Sequence, residues 1–180
     1  MHRQLPCLRI ETKGWWQFMC SYCGCHAIGP IRALAEEHVM IQNLMGETRR
    51  AALRGDDDAA IGLLRRLQSV LAEHDAVEEL SLYPAMARHA EFRGHVEDLF
   101  DEHDDLAVLL ERALTIADAQ GACSVEWVRV LAGFDVLMEH IQAEENGLFP
   151  AAAISLDVLD WERAEQVRRE FRAEHPPTRH

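Results

Sequence analysis

Past residue 29 the apolar side chains recur at intervals of three and four, the spacing that lines one face of an α-helix rather than the alternation that lines a strand. Ile31, Leu34, Ile41 and Met45 make a first stripe; Leu64, Leu67 and Leu71 a second; Val96, Leu99, Leu106 and Leu110 a third; Val130 and Leu137 a fourth. Punctuation between the stripes predicts the helix ends. Pro30 suits a first helical turn, where its missing N–H has no partner to lose, and Gly55 closes that helix. Asp56 to Asp58 offer an N-cap for a second helix over about 59–82, ended or bent at Pro84. A third helix is expected over about 94–119 with Gly121 behind it, and a fourth from a Ser124 cap to about Gly147, before a stop at Phe149-Pro150. Ser155 is the expected cap of a short fifth helix ending near Phe171. Four amphipathic helices with short connections predict an all-α, up-down-up-down antiparallel four-helix bundle with an N-terminal arm and a short C-terminal fifth helix.

Composition narrows the class. With 180 residues and 48% hydrophobic content, one domain can bury a core without disulfides. The expected division is an N-terminal Cys-rich arm over 1–29, the bundle and its short helix over 30–171, and a disordered tail over 172–180. Eighteen Lys and Arg against 31 Asp and Glu give a net charge of -13, which repels phosphate backbones and anionic lipid, so neither nucleic acid nor membrane is an expected partner. Five Cys is an odd number, no basic start with an apolar stretch precedes them, and no apolar run is long enough to span a bilayer. A reducing cytoplasm is the expected compartment.

The apolar stripes carry polar residues where a core expects none. His38 lies seven residues after Ile31 and seven before Met45; His74 extends the series 64, 67, 71; His103 sits between Leu99 and Leu106; His140 follows Leu137. Glu78 and Glu144 each follow a His by four positions and share its face. A lone His on such a stripe is ordinarily a core histidine satisfied by a hydrogen bond, and a lone Glu reaches water at the edge. Six together are different, because each buried ionisable group is costly unless paired or bound to a cation, and one cation cluster resolves all of them. Glu-x-x-His and His-Glu-x-x-His are both missing from the sequence, which argues against a ferritin-like di-iron pattern and a zinc protease. His2, His175 and His180 fall in expected tails, and His89 and His95 at a helix connection.

The chain also repeats. HDAVEELSLYP at 74–84 aligns with HIQAEENGLFP at 140–150, and Glu37-His38 aligns with Glu102-His103, at offsets of 66 and 65. Two similar helix pairs are what a two-metal site between four helices needs. The order His38, His74-x-x-x-Glu78, His103, His140-x-x-x-Glu144 resembles the hemerythrin or HHE cation-binding family over about residues 28–155. The resemblance implies two non-haem iron ions, bridged by the Glu carboxylates and by an oxo or hydroxo species, with imidazoles completing each coordination sphere. Oxygen and imidazole donors without thiolate fit iron, with manganese and zinc as alternatives.

One position departs from the oxygen-carrying members of that family, which place a second His one turn along the third helix; here that residue is Ala107. An open metal position is then expected, able to take oxygen, nitric oxide or peroxide, and it favours a binding or sensing protein over simple oxygen carriage. The alternatives are a di-iron enzyme that consumes peroxide or nitric oxide, served by an electron donor, and a protein of iron storage, donation or sensing. Similar bacterial members are linked to stress responses. A second candidate site lies in the arm, where Cys20, Cys23, Cys25 and His26 could bind a soft metal or form a redox thiol pair. Its Cys-x-Tyr-Cys-Gly-Cys run resembles the start of some sequences of the same family, which makes Met19 an alternative first residue to Met1.

Overall fold

The computed structural model describes residues 24–176. After a 3-10 turn at Cys25–Ala27 come α1 (Gly29–Leu53) and α2 (Asp57–Val77). A π-turn over Glu78–Leu82 joins α2 to α3 (Tyr83–Met86). Then follow α4 (Arg93–Gln120), α5 (Trp127–Ala143), a second π-turn over Glu144–Leu148, α6 (Phe149–Ser155) and α7 (Val158–Glu174). The first three predicted helices lie within a few residues of α1, of α2 with its π-turn, and of α4.

Two apolar clusters fill the bundle, one at each end. Ile41, Leu44, Leu64, Leu71, Leu106, Leu110, Phe134 and Leu137 belong to one. Ile31, Leu34, Val77, Tyr83, Leu99, Leu148 and Phe149 belong to the other. Along α1 the chain passes from Leu34 in the second cluster through His38 to Ile41 in the first. Through α2 it returns, Leu71 then His74 then Val77; α4 and α5 repeat the alternation around His103 and His140. This alternation is the up-down-up-down path, and it puts all four His in one layer between two dry cores. No helix among the described residues is long and apolar enough to cross a membrane.

The prolines do not stop the helices. Pro84 and Pro150 each stand in the first turn of a continuing helix, α3 and α6. Proline lacks the N–H that an α-helix would use and crowds the carbonyl four residues back. The preceding turn widens instead: the Tyr83 N–H bonds to the Glu78 carbonyl and the Phe149 N–H to the Glu144 carbonyl, each five residues back. Such π-turns concentrate at functional sites.

Two caps also differ from expectation. Ser124 bonds backward to the Gln120 carbonyl, and Glu126 stands at the α5 N-cap without a side-chain bond. The fifth helix starts later than Ser155, because Asp157 and Asp160 form a reciprocal capping box, and it runs 17 residues to Glu174, past Phe171. Asp56 caps α2 as expected, accepting from the Ala59 N–H at 3.3 Å. Gly121, at φ 90, closes α4 in a backbone region that side chains avoid.

Candidate metal centre

His38, His74, Glu78, His103, His140 and Glu144 meet in the layer between the apolar clusters, each at most 4% exposed. They form two groups whose potential ligand atoms lie within 4.8 Å of one another: His38, His74, Glu78 and Glu144, and Glu78, His103, His140 and Glu144. Both carboxylates belong to both groups. Glu78 Oε2 lies 3.3 Å from His74 Nε2 and 3.6 Å from His103 Nε2. Glu144 Oε2 lies 3.4 Å from His140 Nε2 and 3.1 Å from His38 Nε2. Each Glu therefore spans the two halves of the sequence repeat.

Every imidazole is held from behind by another glutamate. The Nδ1 atoms of His38, His74, His103 and His140 lie 3.0, 3.2, 3.0 and 2.8 Å from Glu145, Glu37, Glu79 and Glu102. A carboxylate only accepts, so each Nδ1 carries a proton and each Nε2 faces inward, able to offer its lone pair to a cation once it carries no proton. The Nε2 atoms face one another, with His38 and His74 Nε2 3.1 Å apart and His103 and His140 Nε2 3.0 Å apart. Two opposed Nε2 atoms at that separation share either a proton or a cation. Glu78 Oε1 is likewise buried without a hydrogen-bond donor, and Glu144 Oε2 has only the His38 and His140 Nε2 atoms beside it. Unpaired acceptors in a dry layer are costly, and a donor set of imidazole and carboxylate fits a borderline or hard transition-metal cation.

Electrostatics within the layer favour a positive charge between the carboxylates. Burial, then repulsion from Glu144, pushes the Glu78 carboxyl well above its usual range. Burial acts the same way on Glu144, but hydrogen bonds with His140 and His38 outweigh it and hold that carboxyl well below. Burial opposes charge on His38, yet the bonds to Glu144 and Glu145 prevail and raise it to about 9. His74, where burial wins, falls to about 4.

The outer glutamates complete a pattern. Glu37 and Glu102 precede His38 and His103 in sequence but hold His74 and His140, while Glu79 and Glu145, the second Glu of each HxxxEE, hold His103 and His38 across the bundle. The repeated Glu-His and Glu-Glu pairs were visible signals of these four residues, although their partners were not.

Tyr83 enters the site unannounced. It is 1% exposed, donates from Oη to Glu144 Oε1 at 2.7 Å, and lies 3.5 Å from Glu78 Oε2 and 3.4 Å from His103 Nε2. Burial and the two carboxylates raise its pKa, so the phenol keeps its proton. Five residues separate it from Glu78, which on a regular helix turns it about 140° away, at about 100° per residue. The π-turn removes that offset. Its counterpart in the repeat, Phe149, stacks on His38 at 5.5 Å and has no hydroxyl. Asp75, whose counterpart is Ile141, adds a second asymmetry: its buried Oδ1 has no hydrogen-bond donor and lies 3.8 Å from His103 Nε2. Burial pushes it up to about 7.

The family model for the hemerythrin HHE cation-binding domain matches residues 29–152. The chain belongs to that family. Searches of curated proteins and of solved structures gave no significant match. The hemerythrin HHE domain binds cations, and the two His and Glu groups of this bundle are fit to hold them. Ala107, where the oxygen-carrying hemerythrins resembled above have a His, lines a cavity of about 210 Å³ between α2 and α4, together with Asp75, Leu71, Leu106 and Leu110. Cys20 and Cys23 of the second candidate site lie outside the described residues, as do Met19, His2 and His180. Cys25 is buried in the apolar cluster beside Ile31, His26 is half-buried, and neither joins the ligand groups. His89, before α4, and His95, in its first turn, are half-buried and do not join them either.

Proposed function

We propose that this hemerythrin HHE domain holds two iron ions, one per four-residue group, and binds or senses a small ligand such as oxygen, nitric oxide or peroxide. The observation that carries this reading is the sharing of Glu78 and Glu144 by both groups. Two carboxylates common to two His pairs suit two neighbouring cations better than one. A pair of His with carboxylates and few other protein donors is the donor set of non-haem iron with exchangeable positions. Iron there would supply redox-active binding and polarisation of a small ligand. The protein's own contribution is to orient four imidazoles through their Nδ1 bonds, to keep a phenolic proton on Tyr83 beside Glu144, and to exclude bulk water with the apolar clusters. The His103–His140 half is the proposed side of ligand approach, since the cavity lined by Ala107 and Asp75 adjoins it.

Metal analysis after anaerobic loading with ferrous iron is expected to give two ions per chain, and nitric oxide added to that protein should change its visible spectrum. One ion, or a spectrum indifferent to nitric oxide, oxygen and peroxide, would count against the proposal. Ala107→Phe, which fills the cavity from an exposed position, should slow the spectral change several-fold and leave iron content unaltered. An unchanged rate would remove the cavity as the route.

A further inference from the structure

Helix α7 lies beyond residues 29–152, the segment matched by the family model, yet one of its side chains reaches the glutamates behind the imidazoles. Arg168, 12% exposed, sets its guanidinium on Glu37, with Nη1 bonded to Oε1 and Nη2 3.2 Å from Oε2. That same Oε2 accepts from His74 Nδ1 at 3.2 Å. Arg168 Nη1 also donates to Glu73 Oε1 at 2.8 Å, and Arg172 Nε donates to that oxygen at 2.8 Å. A continuous path, Arg172 to Glu73 to Arg168 to Glu37 to His74, runs from the surface of α7 to an inward-facing imidazole. The other three outer glutamates have nothing comparable: among the described residues no Arg or Lys pairs with Glu79, Glu102 or Glu145.

A planar guanidinium fork fixes the plane of a carboxylate. A fixed carboxylate in turn fixes the tautomer and ring orientation of the imidazole it holds. We infer that Arg168 is a positioning residue for the metal centre, acting through Glu37 on His74. Helix α7 is thereby part of the metal-binding unit, and the His38–His74 position depends on it while the His103–His140 position does not. The inference rests on the two-cation reading of the site. Neutralising Glu37 would by itself make His74 a weaker donor to metal, so orientation and charge pull in opposite directions. Orientation prevails, because Glu37 is 15% exposed at its side chain and without its anchor turns to water and leaves the imidazole.

Cobalt(II) titration of the full chain, read by visible absorption, separates these effects. Wild-type protein should take up two ions. In Arg168→Met one of the two should bind about tenfold more weakly, the lower end of what loss of an outer partner costs, with its share of the absorption altered and the other ion unaffected. Arg168→Lys, which keeps the charge but not the fork, should recover only part. Arg172→Met, cut at the exposed end of the path, should bind both ions as wild type does. Glu37→Gln should weaken the same ion, and the double variant Arg168→Met with Glu37→Gln should be no weaker than the worse single one. If Arg168→Met binds both ions normally, or if the two substitutions simply add, Arg168 does not act through Glu37 and the inference falls. Wild-type protein that fails to bind two ions would instead overturn the two-cation reading.

Discussion

Glu144→Ala is expected to leave a chain that retains neither cation after dialysis, with affinity down by more than about 100-fold, the upper end of the loss seen for outer-shell partners alone. Glu144 is fully buried and stands in both ligand groups, a place that among the described residues it shares with Glu78. The substitution also leaves the Tyr83 hydroxyl without its acceptor, a loss of about 1–3 kcal/mol for a buried donor. Glu144→Gln separates the two effects, because the amide oxygen accepts from Tyr83 while the charge common to both ligand groups is gone. It should fold more stably than Glu144→Ala, though without the support that the carboxylate gives to His38, and still fail to retain metal. Elemental analysis and thermal unfolding check both. Two ions retained in either variant would mean that the shared carboxylate is not a bridge.

Metal uptake at neutral pH should release at least one proton per chain, and the apparent affinity should climb with pH. In the metal-free fold His38 is raised to about 9 by Glu144 and Glu145 against the effect of burial, so it is protonated at pH 7 and must lose that proton to offer Nε2. Glu78 is pushed well above its usual range by burial and by Glu144, so it also resists giving up its proton as pH rises. His74, lowered to about 4, is already neutral and contributes none. With the His38 proton displaced, affinity rises on the order of tenfold per pH unit below about pH 9. Cobalt titrations in weakly buffered solution with an indicator dye measure the protons directly; uptake without proton release would refute the assignment. The metal-free fold carries the opposite trend. The stability that His38 gains from its raised value is full below about 6.5 and is lost as pH rises through about 9, so the metal-free protein should soften over the range where the loaded protein binds best.

The asymmetry of the two halves bears on both results. Repetition of His, Glu-Glu and Pro makes the positions look equivalent, but Tyr83 and Asp75 crowd the His103 side, whereas Phe149 and Arg168 serve the His38 and His74 side. Two cations held here would differ in their surroundings from the start.

The sequence by itself determined the parts of this protein that repeat along one helix. Apolar residues at three and four positions marked the faces that must be buried, and His and Glu on those faces marked the layer, because side chains on one helix share a face by spacing alone. The six inward residues, the four-helix path and the repeat of Glu-His and of HxxxEE were therefore legible before any contact was known. Tertiary structure alone decided what depends on how the helices are rotated and where they widen. Pro84 read as a stop or a bend and Pro150 as a stop, because the local rule for proline does not foresee a π-turn placed just before it. The same turn carries Tyr83 into the centre from a position that 3.6-residue periodicity turns away. Which glutamate holds which imidazole, and the reach of Arg168 from α7 to Glu37, 131 residues apart, are contacts between helices. No spacing within one helix encodes them, since they are set by packing between elements far apart in the chain.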